Sequence, residues 1–218
     1  MRSPRPDNSR QGLDRSGSGL RQGLLFILSA PSGAGKSTLG QILRTRIPQL
    51  AYSVSYTTRL PRKDETPGQD YHFISAAEFR SGIKRSAWAE WAQVHGNYYG
   101  TRAADLARLL DQGKDVLLDI DVQGAAQLAA RFPEAVTIFI MPPSFTVLED
   151  RLRRRGTDSE SVIARRLANA RQEMDQRKKY RHIVINADLH QAADSLTRLV
   201  TRYRDRNPGP SPADTAAP

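Results

Sequence analysis

The sequence predicts an α/β fold in which a central parallel sheet is covered by helices on both faces. Two observations support this prediction. Short apolar runs alternate along the chain with segments of helical spacing, which is typical of parallel strands buried on both faces. A glycine-rich loop also joins the first apolar run to the first helical segment. The apolar runs that we expect to be buried strands are 24–28, 116–121, 136–140 and 182–186.

The loop after the first strand, Ala30–Thr38, has the pattern of a phosphate-binding loop. Gly33 and Gly35 allow the backbone to turn tightly and to point N–H groups inward, and the helix N-terminus that follows adds partial positive charge. Lys36 is placed to reach the β and γ phosphates of a nucleotide, and the Ser37 hydroxyl to ligate Mg²⁺. The first loop position is alanine, where this pattern usually has glycine. The alternative is a chance Gly-Lys-Ser in an ordinary turn.

The alternation of buried strands and helices stops between about residues 56 and 101, which predicts a smaller inserted subdomain. Within it we expect a strand at 88–94 and a short helix that is opened by the capping box Ser75–Glu78. We interpret 97–101 as a turn, and expect Thr101 to cap the helix that follows.

The two ends of the chain differ in composition from the rest. Residues 1–22 are rich in Ser, Gly, Arg and Pro without periodicity, so we expect a disordered basic arm there and a disordered tail at 207–218. The folded unit is then 23–206, one domain with a sizeable core. The chain contains no cysteine, which excludes disulfides and thiolate metal sites. Without an apolar run of membrane length or a secretory signal, we expect a cytoplasmic protein with no membrane partner. The oligomeric state stays open.

The chain is strongly basic, with a formal net charge of +10 at pH 7. The stretch 151–181 contains eleven Lys or Arg residues against four Asp or Glu. Such a charge suits either nucleic acid or a polyanionic small substrate. We favour the small substrate and expect no nucleic-acid partner, because the basic stretch has no nucleic-acid motif and no interleaved aromatic residues.

Arginines are concentrated in two parts of the chain. Arg59 and Arg62 lie in a polar loop, where guanidinium groups bind phosphate bidentately or simply face solvent. A second group surrounds the break at Gly156. A mobile lid at about 144–172 that closes over a triphosphate would bring these charges to an anion, and a solvated basic face is the alternative. Among them, we expect Arg153 and Arg154 to be bystanders.

Three carboxylates are candidates for ligand contacts. Asp119 and Asp121 end an apolar strand, at the edge where α/β sheets bind ligands, and can hold the water shell of Mg²⁺ or a substrate group. Capping of the next helix is the alternative. Glu90 lies between Trp88 and Trp91, and alternation alone directs its side chain outward. If it faces a pocket instead, it can accept hydrogen bonds from adjacent N–H groups of a purine.

Together these segments resemble guanylate kinase, the nucleoside-monophosphate kinase of the P-loop NTPase fold. The segments that carry the resemblance are 29–37, 54–62, 96–101, 118–124, 151–156 and 165–167. Several separate motifs agree in order and spacing from about Leu24 to Leu199, so the resemblance covers most of the chain. It implies a GMP-binding insert at about 56–101, ATP and GMP as substrates, and Mg²⁺ as cofactor.

The resemblance also implies a role for individual residues. Those expected to stabilise the transferred phosphoryl group are Lys36, Arg151, Arg155 and Arg166. Those expected to bind ATP are Ser32, Gly33, Ala34, Gly35, Lys36, Ser37, Thr38 and Asn186. Those expected to hold the GMP phosphate are Arg59, Arg62, Tyr71 and Tyr99, and those expected to read the guanine edge are Ser55, Glu90, Thr101 and Asp121. Asp119 would lie near the metal and phosphates, with Mg²⁺ on Ser37 and, through water, on Asp119.

Two positions depart from the family pattern. Thr101 stands where the family often has serine, which keeps the hydroxyl. Ala187 stands for the first of two aspartates after Asn186, which leaves the adenine contact open. The expected reaction is in-line transfer of the γ-phosphoryl group from ATP to GMP, without a general base. The alternatives are a kinase for another monophosphate, an ATPase of the same fold, and a protein-binding module without catalysis. The intact Lys36 and Ser37 argue against the last.

Overall fold

The structure is a computed structural model that describes residues 22–94, 96–154 and 159–207. Its strands are, in chain order, β1 Leu25–Ser29, β2 Ala51–Tyr52, β3 Tyr56–Thr57, β4 His72–Phe73, β5 Trp88–Val94, β6 Asn97–Arg102, β7 Val116–Asp119, β8 Val136–Met141 and β9 His182–Ile185. Its helices are α1 Lys36–Arg46, α2 Ala76–Lys84, α3 Ala103–Asp111, α4 Val122–Arg131, α5 Phe145–Arg154, α6 Glu160–Asp175 and α7 Leu189–Arg206. A short 3₁₀ helix, Gln176–Lys179, follows α6. Apart from Gln22 and Asn207, the expected disordered arm and tail lie outside the described residues.

The central sheet is parallel throughout, and its strand order is β2–β7–β1–β8–β9. One face packs against α1 and α7 in a core that includes Phe26 and Leu39. The other face packs against α3 and α4 in a core that includes Ile27 and Leu128. Each fully buried apolar side chain of this kind stabilises the fold by about 1.5–3 kcal/mol. The predicted parallel sheet with helices on both faces is confirmed.

A second sheet is formed by the chain between β2 and α3, with strand order β4–β3–β6–β5. Strands β5 and β6 form an antiparallel hairpin, and β6 also pairs antiparallel with β3. The predicted start of α2 at Ser75 is confirmed, because the Ser75 hydroxyl caps the helix by accepting a hydrogen bond from the Glu78 N–H at 3.1 Å. Phe79 of α2 stacks on Trp88 of β5, with ring centroids 4.1 Å apart, and so covers one side of this sheet.

The interpretation of 97–101 as a turn is wrong. These residues belong to β6, and the turn precedes them at Gly96, whose φ of 84° favours glycine. Gly100 lies within β6. Glycine is needed at this position because a Cβ there would lie 2.9 Å from the Phe79 ring. Thr101 does not cap a helix, since α3 has Arg102 at its N-cap and no side-chain capping bond.

The last helix is held to the core by a buried carboxylate. Asp115, just before β7, is 3 % exposed and accepts hydrogen bonds from the Leu24 N–H at 2.9 Å and from Arg204 Nε of α7 at 2.7 Å. The bond to Leu24 also joins the start of β1 to the chain before β7. None of the described helices, including the 18-residue α7, has the length and apolar character needed to cross a membrane.

Candidate active site

The loop between β1 and α1 forms an open helix N-terminus. Gly33 and Gly35 both have φ near 93°, a left-handed conformation that glycine adopts without steric cost. The Ala34 N–H closes a turn by donating to the Pro31 carbonyl at 3.1 Å. Helix α1 then starts at Lys36 with no side-chain cap, unlike α2, α4 and α7, and its first turn contains no acidic residue. Its first N–H groups and its dipole are therefore available to an anion.

Lys36 and Asp119 bring charge to this loop. Asp119 ends β7, beside β1 in the sheet, and its carboxylate forms an ion pair with the Lys36 ammonium. Burial lowers the pKa of Lys36 to about 8, although the carboxylates of Asp121, Glu173 and Glu90 act in the opposite direction. The ion pair favours the protonated ammonium, and a bound triphosphate would do the same. Lys36 is thus placed to neutralise phosphate charge.

Asp121 begins α4. Its Oδ1 accepts hydrogen bonds from the N–H groups of Gln123 at 2.6 Å and Gly124 at 3.1 Å. Helix capping and a ligand role were alternatives for Asp121 on the sequence alone, and helix capping is observed in the structure. The second carboxylate oxygen of Asp121 makes no bond of this kind to the helix, and Asp121 lines a cavity beside the phosphate loop. The capping interaction therefore does not exclude a ligand role.

The expectation from alternation that Glu90 points outward is wrong. Glu90 is 3 % exposed, and its Oε1 accepts a hydrogen bond from the Thr101 hydroxyl at 2.7 Å. The other oxygen lies so close to Gly124 that a Cβ there would collide with it. Burial raises the pKa of Glu90 to about 7, while the Thr101 hydrogen bond acts to lower it. A buried carboxylate held in one orientation is suited to accept N–H groups from a ligand.

A cleft of about 1040 Å³ lies between the two sheets. Ser37 and Asp119 line it from the central sheet, and Arg59, Arg62, Tyr71 and Tyr99 line it from the second sheet and its loops. The Arg59 guanidinium forms a bidentate ion pair with Glu65, at 2.7 and 3.0 Å, and lies 5.4 Å from the centre of the Tyr71 ring. The phosphate-binding loop and the loop that carries Arg59 and Arg62 therefore face the same cleft.

The arginines at 151–166 occupy different positions. Arg151 Nη2 donates to the carbonyl oxygen of Asn186 at 2.9 Å, next to the phosphate loop. Arg166 lines a second cavity of about 500 Å³, between α6 and α4, that also includes Ser32 and Asp121. Arg153 pairs with Glu149 and Glu160 on the exposed surface, as expected for a bystander. Arg155 lies outside the described residues.

The remaining candidates divide between the loop region and the protein interior. Asn186 is buried, and its side-chain amide donates to the carbonyl oxygen of Ala34 at 2.8 Å. Thr38 is exposed on α1. Ser55 is buried before β3 and its carbonyl accepts the His72 N–H at 2.9 Å, but Ser55 does not line the cleft.

The sequence model of the guanylate kinase family matches residues 22–203. The chain belongs to the guanylate kinase family. Relatives named guanylate kinase include one from Nitratidesulfovibrio vulgaris, which is 51 % identical over 176 residues that cover 81 % of this chain and 85 % of the relative. One from Neisseria meningitidis serogroup A is 50 % identical over 187 residues that cover 86 % of this chain and 91 % of the relative.

A solved structure of a guanylate kinase has the same fold as this chain. The crystal structure of guanylate kinase from Anaplasma phagocytophilum superposes with a TM-score of 0.70 at 32 % identity, over 84 % of this chain and 88 % of that one. The expectations of a P-loop NTPase fold, and of a nucleotide-binding enzyme of the kinase class, are therefore confirmed.

One group in this guanylate kinase-family site was not predicted from the sequence. Glu173 of α6 accepts the Ser32 N–H of the phosphate loop, at 3.4 Å, and burial raises the pKa of its carboxyl. The available signal was weak, because Glu173 is only one of four carboxylates in the basic stretch 151–181. Its distance in sequence from Ser32, 141 residues, hides the contact.

Proposed function

We propose that the chain transfers the γ-phosphoryl group of ATP to GMP, giving ADP and GDP, in the cleft between the two sheets. One observation carries the proposal. The phosphate-binding loop, which leads into the uncapped N-terminus of α1, faces the same cleft of about 1040 Å³ as Arg59 and Arg62. Two phosphate-bearing ligands bound at these two places would meet across it. Membership of the guanylate kinase family supports GMP as the acceptor.

The phosphate loop is the proposed donor site. The backbone from Ser32 to Thr38, with the start of α1, would hold the β and γ phosphates of ATP by N–H groups and the helix dipole. Lys36 would neutralise charge on the same phosphates, since its ammonium already faces the carboxylate of Asp119. The triphosphate would then compete with Asp119 for the ammonium.

The second sheet is the proposed acceptor site. Arg59 and Arg62, with the hydroxyls of Tyr71 and Tyr99, would bind the phosphate of GMP, because all four line the cleft. Glu90 would accept the two adjacent N–H groups of guanine, which adenine does not offer. Thr101 would hold Glu90 in place through the bond it already donates, and Asp121 and Ser55 would complete the contacts to the base.

No general base is needed for the transfer. The attacking phosphate oxygen of GMP is already an anion, so the protein must position two polyanions and neutralise their charge. Lys36, Arg151 and Arg166 would supply positive charge around the γ-phosphoryl group, and Arg155 is proposed for the same role. Movement of about 144–172 towards the second sheet would exclude water that would otherwise hydrolyse ATP.

Magnesium is the proposed cofactor, and the residues present fit it. The Ser37 hydroxyl and the Asp119 carboxylate are oxygen ligands that line the same cleft. In the ranges that the structure describes, no three His, Cys, Asp or Glu side chains form a metal cluster, which suits an ion bound mainly by substrate phosphates. When bound there, Mg²⁺ would neutralise charge on the β and γ phosphates.

A steady-state assay with four acceptors tests the proposal. ADP production from ATP and Mg²⁺ is measured with GMP, AMP, UMP or CMP. Strong turnover with GMP and weak turnover with the others supports both the reaction and the role of Glu90. Turnover with another monophosphate would contradict the base assignment but not the fold. If a folded protein binds GMP without turnover, the chain is a binding module rather than an enzyme.

A further inference from the structure

One residue at the end of β9 touches both the phosphate loop and Arg151. The Asn186 side-chain amide donates to the Ala34 carbonyl oxygen at 2.8 Å, and the backbone carbonyl oxygen of Asn186 accepts from Arg151 Nη2 at 2.9 Å. Its N–H donates to the Met141 carbonyl at 2.7 Å, so that the β8–β9 ladder fixes its backbone. Asn186 is 4 % exposed. All its hydrogen bonds named here are internal to the protein.

The bond to Ala34 controls the direction of a neighbouring N–H group. A peptide group is planar and trans, so the Gly35 N–H points away from the side to which the Ala34 carbonyl points. With the carbonyl held by Asn186, this N–H is turned towards the opposite side of the loop. Ala34 is fully buried, so water does not replace Asn186 as the donor without rearrangement.

The absence of a side chain at Gly35 makes room for the Asn186 amide. A Cβ at Gly35 would collide with Asn186 Nδ2, and the left-handed φ of 93° favours glycine independently. The loop backbone and the Asn186 amide are therefore packed against each other. One of the two N–H groups of this amide is engaged with the Ala34 carbonyl.

We propose that Asn186 is a positioning residue that holds the phosphate loop in its anion-binding conformation and fixes Arg151 beside it. This inference deepens the proposed function, on which it rests for the identity of the triphosphate. The side chain of Asn186 acts on the loop and its backbone acts on Arg151. One strand end thus sets the relative positions of two groups that face the same phosphates.

Binding measurements with a ligand that lacks adenine test this role. The dissociation constants of ATP, inorganic tripolyphosphate and GMP are measured by calorimetry for the full chain and for Asn186→Ala. We expect ATP and tripolyphosphate to weaken by the same factor, about tenfold for one lost buried hydrogen bond, with GMP unchanged. Equal weakening of GMP would indicate a general structural defect and would overturn the proposal. Weakening of ATP alone would assign Asn186 to adenine instead.

Two further variants keep the test decisive. Asn186→Leu retains the approximate shape and the neutrality of the side chain but has no donor for the Ala34 carbonyl, so it provides the same comparison if the alanine variant does not fold. Gln191→Ala removes an exposed amide at the start of α7 and should leave all three constants unchanged. The test is separable from the reaction itself. If the wild-type chain fails to phosphorylate GMP, tripolyphosphate binding still decides the role of Asn186.

Discussion

The replacement Glu90→Gln should stabilise the protein increasingly as the pH rises from 5 to 8. Burial raises the pKa of Glu90 to about 7, from its ordinary value of 4.5. The folded state therefore holds the proton more tightly than the unfolded chain. The stability associated with this proton is complete below pH 4.5 and is lost as the pH rises through 7. Glutamine is uncharged at every pH and does not show this loss.

The magnitude follows from the two pKa values. The gap between 4.5 and about 7 corresponds to a free energy of about 3.5 kcal/mol, at about 1.4 kcal/mol for each tenfold change. About 1 kcal/mol of this is already lost at pH 5, because the unfolded carboxyl is largely ionised there. Between pH 5 and pH 8, the variant should therefore gain about 2.5 kcal/mol relative to the wild type. The glutamine oxygen can still accept the Thr101 hydroxyl.

Urea unfolding at several pH values and constant ionic strength measures this difference. The matched control is Glu134→Gln, which removes an exposed carboxylate and should show a difference from the wild type that is small and nearly constant with pH. A Glu90→Gln difference that stays constant between pH 5 and pH 8 would refute the argument, because it would mean that Glu90 titrates alike in both states.

Four other outcomes follow from the same structure. In initial-rate assays, the KM for GMP should rise about tenfold from pH 8 to pH 6 in the wild type but less in Glu90→Gln, since protonation of GMP itself affects both proteins. Lys36→Ala should lower kcat by about three orders of magnitude, and near-normal turnover would contradict its proposed role. Arg204→Ala should cost about 1–3 kcal/mol in urea unfolding, because it leaves Asp115 buried without this partner. Arg153→Ala should change both kcat and stability little, because its ion pairs are exposed; a tenfold loss of kcat would show that Arg153 is not a bystander.

The central sheet and the phosphate loop were predictable because their signals are local. Consecutive apolar residues mark β1, β7 and β8, and the spacing of glycine, lysine and serine marks the loop between β1 and α1. Each signal lies within about ten residues of sequence. The helix start at Ser75 was predictable for the same reason, since its capping bond spans three residues.

The second sheet was less predictable because its side-chain directions depend on strand pairing. The register of β5 against β6 shifts between Trp88 and Glu90, so that three successive residues of β5 are buried. A large apolar residue such as Trp91 would be expected to point inward, but Trp91 is 36 % exposed. The strand around Gly100 was mistaken for a turn because the need for glycine comes from Phe79, a residue on another element.

The contacts of Asn186 and Glu173 with the phosphate loop could not be predicted at all. Their partners, Ala34 and Ser32, are 152 and 141 residues away in sequence. Only the crossover topology of the parallel sheet brings these segments together. The resemblance to a family placed Asn186 near ATP, but it did not indicate that the Asn186 amide binds the loop backbone.

Asp121 caps α4 and is also proposed to contact the base, and this combination limits how the site can vary. One carboxylate oxygen starts α4, and the loss of such a cap costs about 1 kcal/mol. A substitution of Asp121 that is intended to change the base preference therefore also affects the start of α4. Asparagine, serine and threonine keep a side-chain cap while removing the charge. Under the proposed contact of Asp121 with the base, the folding of α4 therefore restricts which substitutions at this position can alter the base preference.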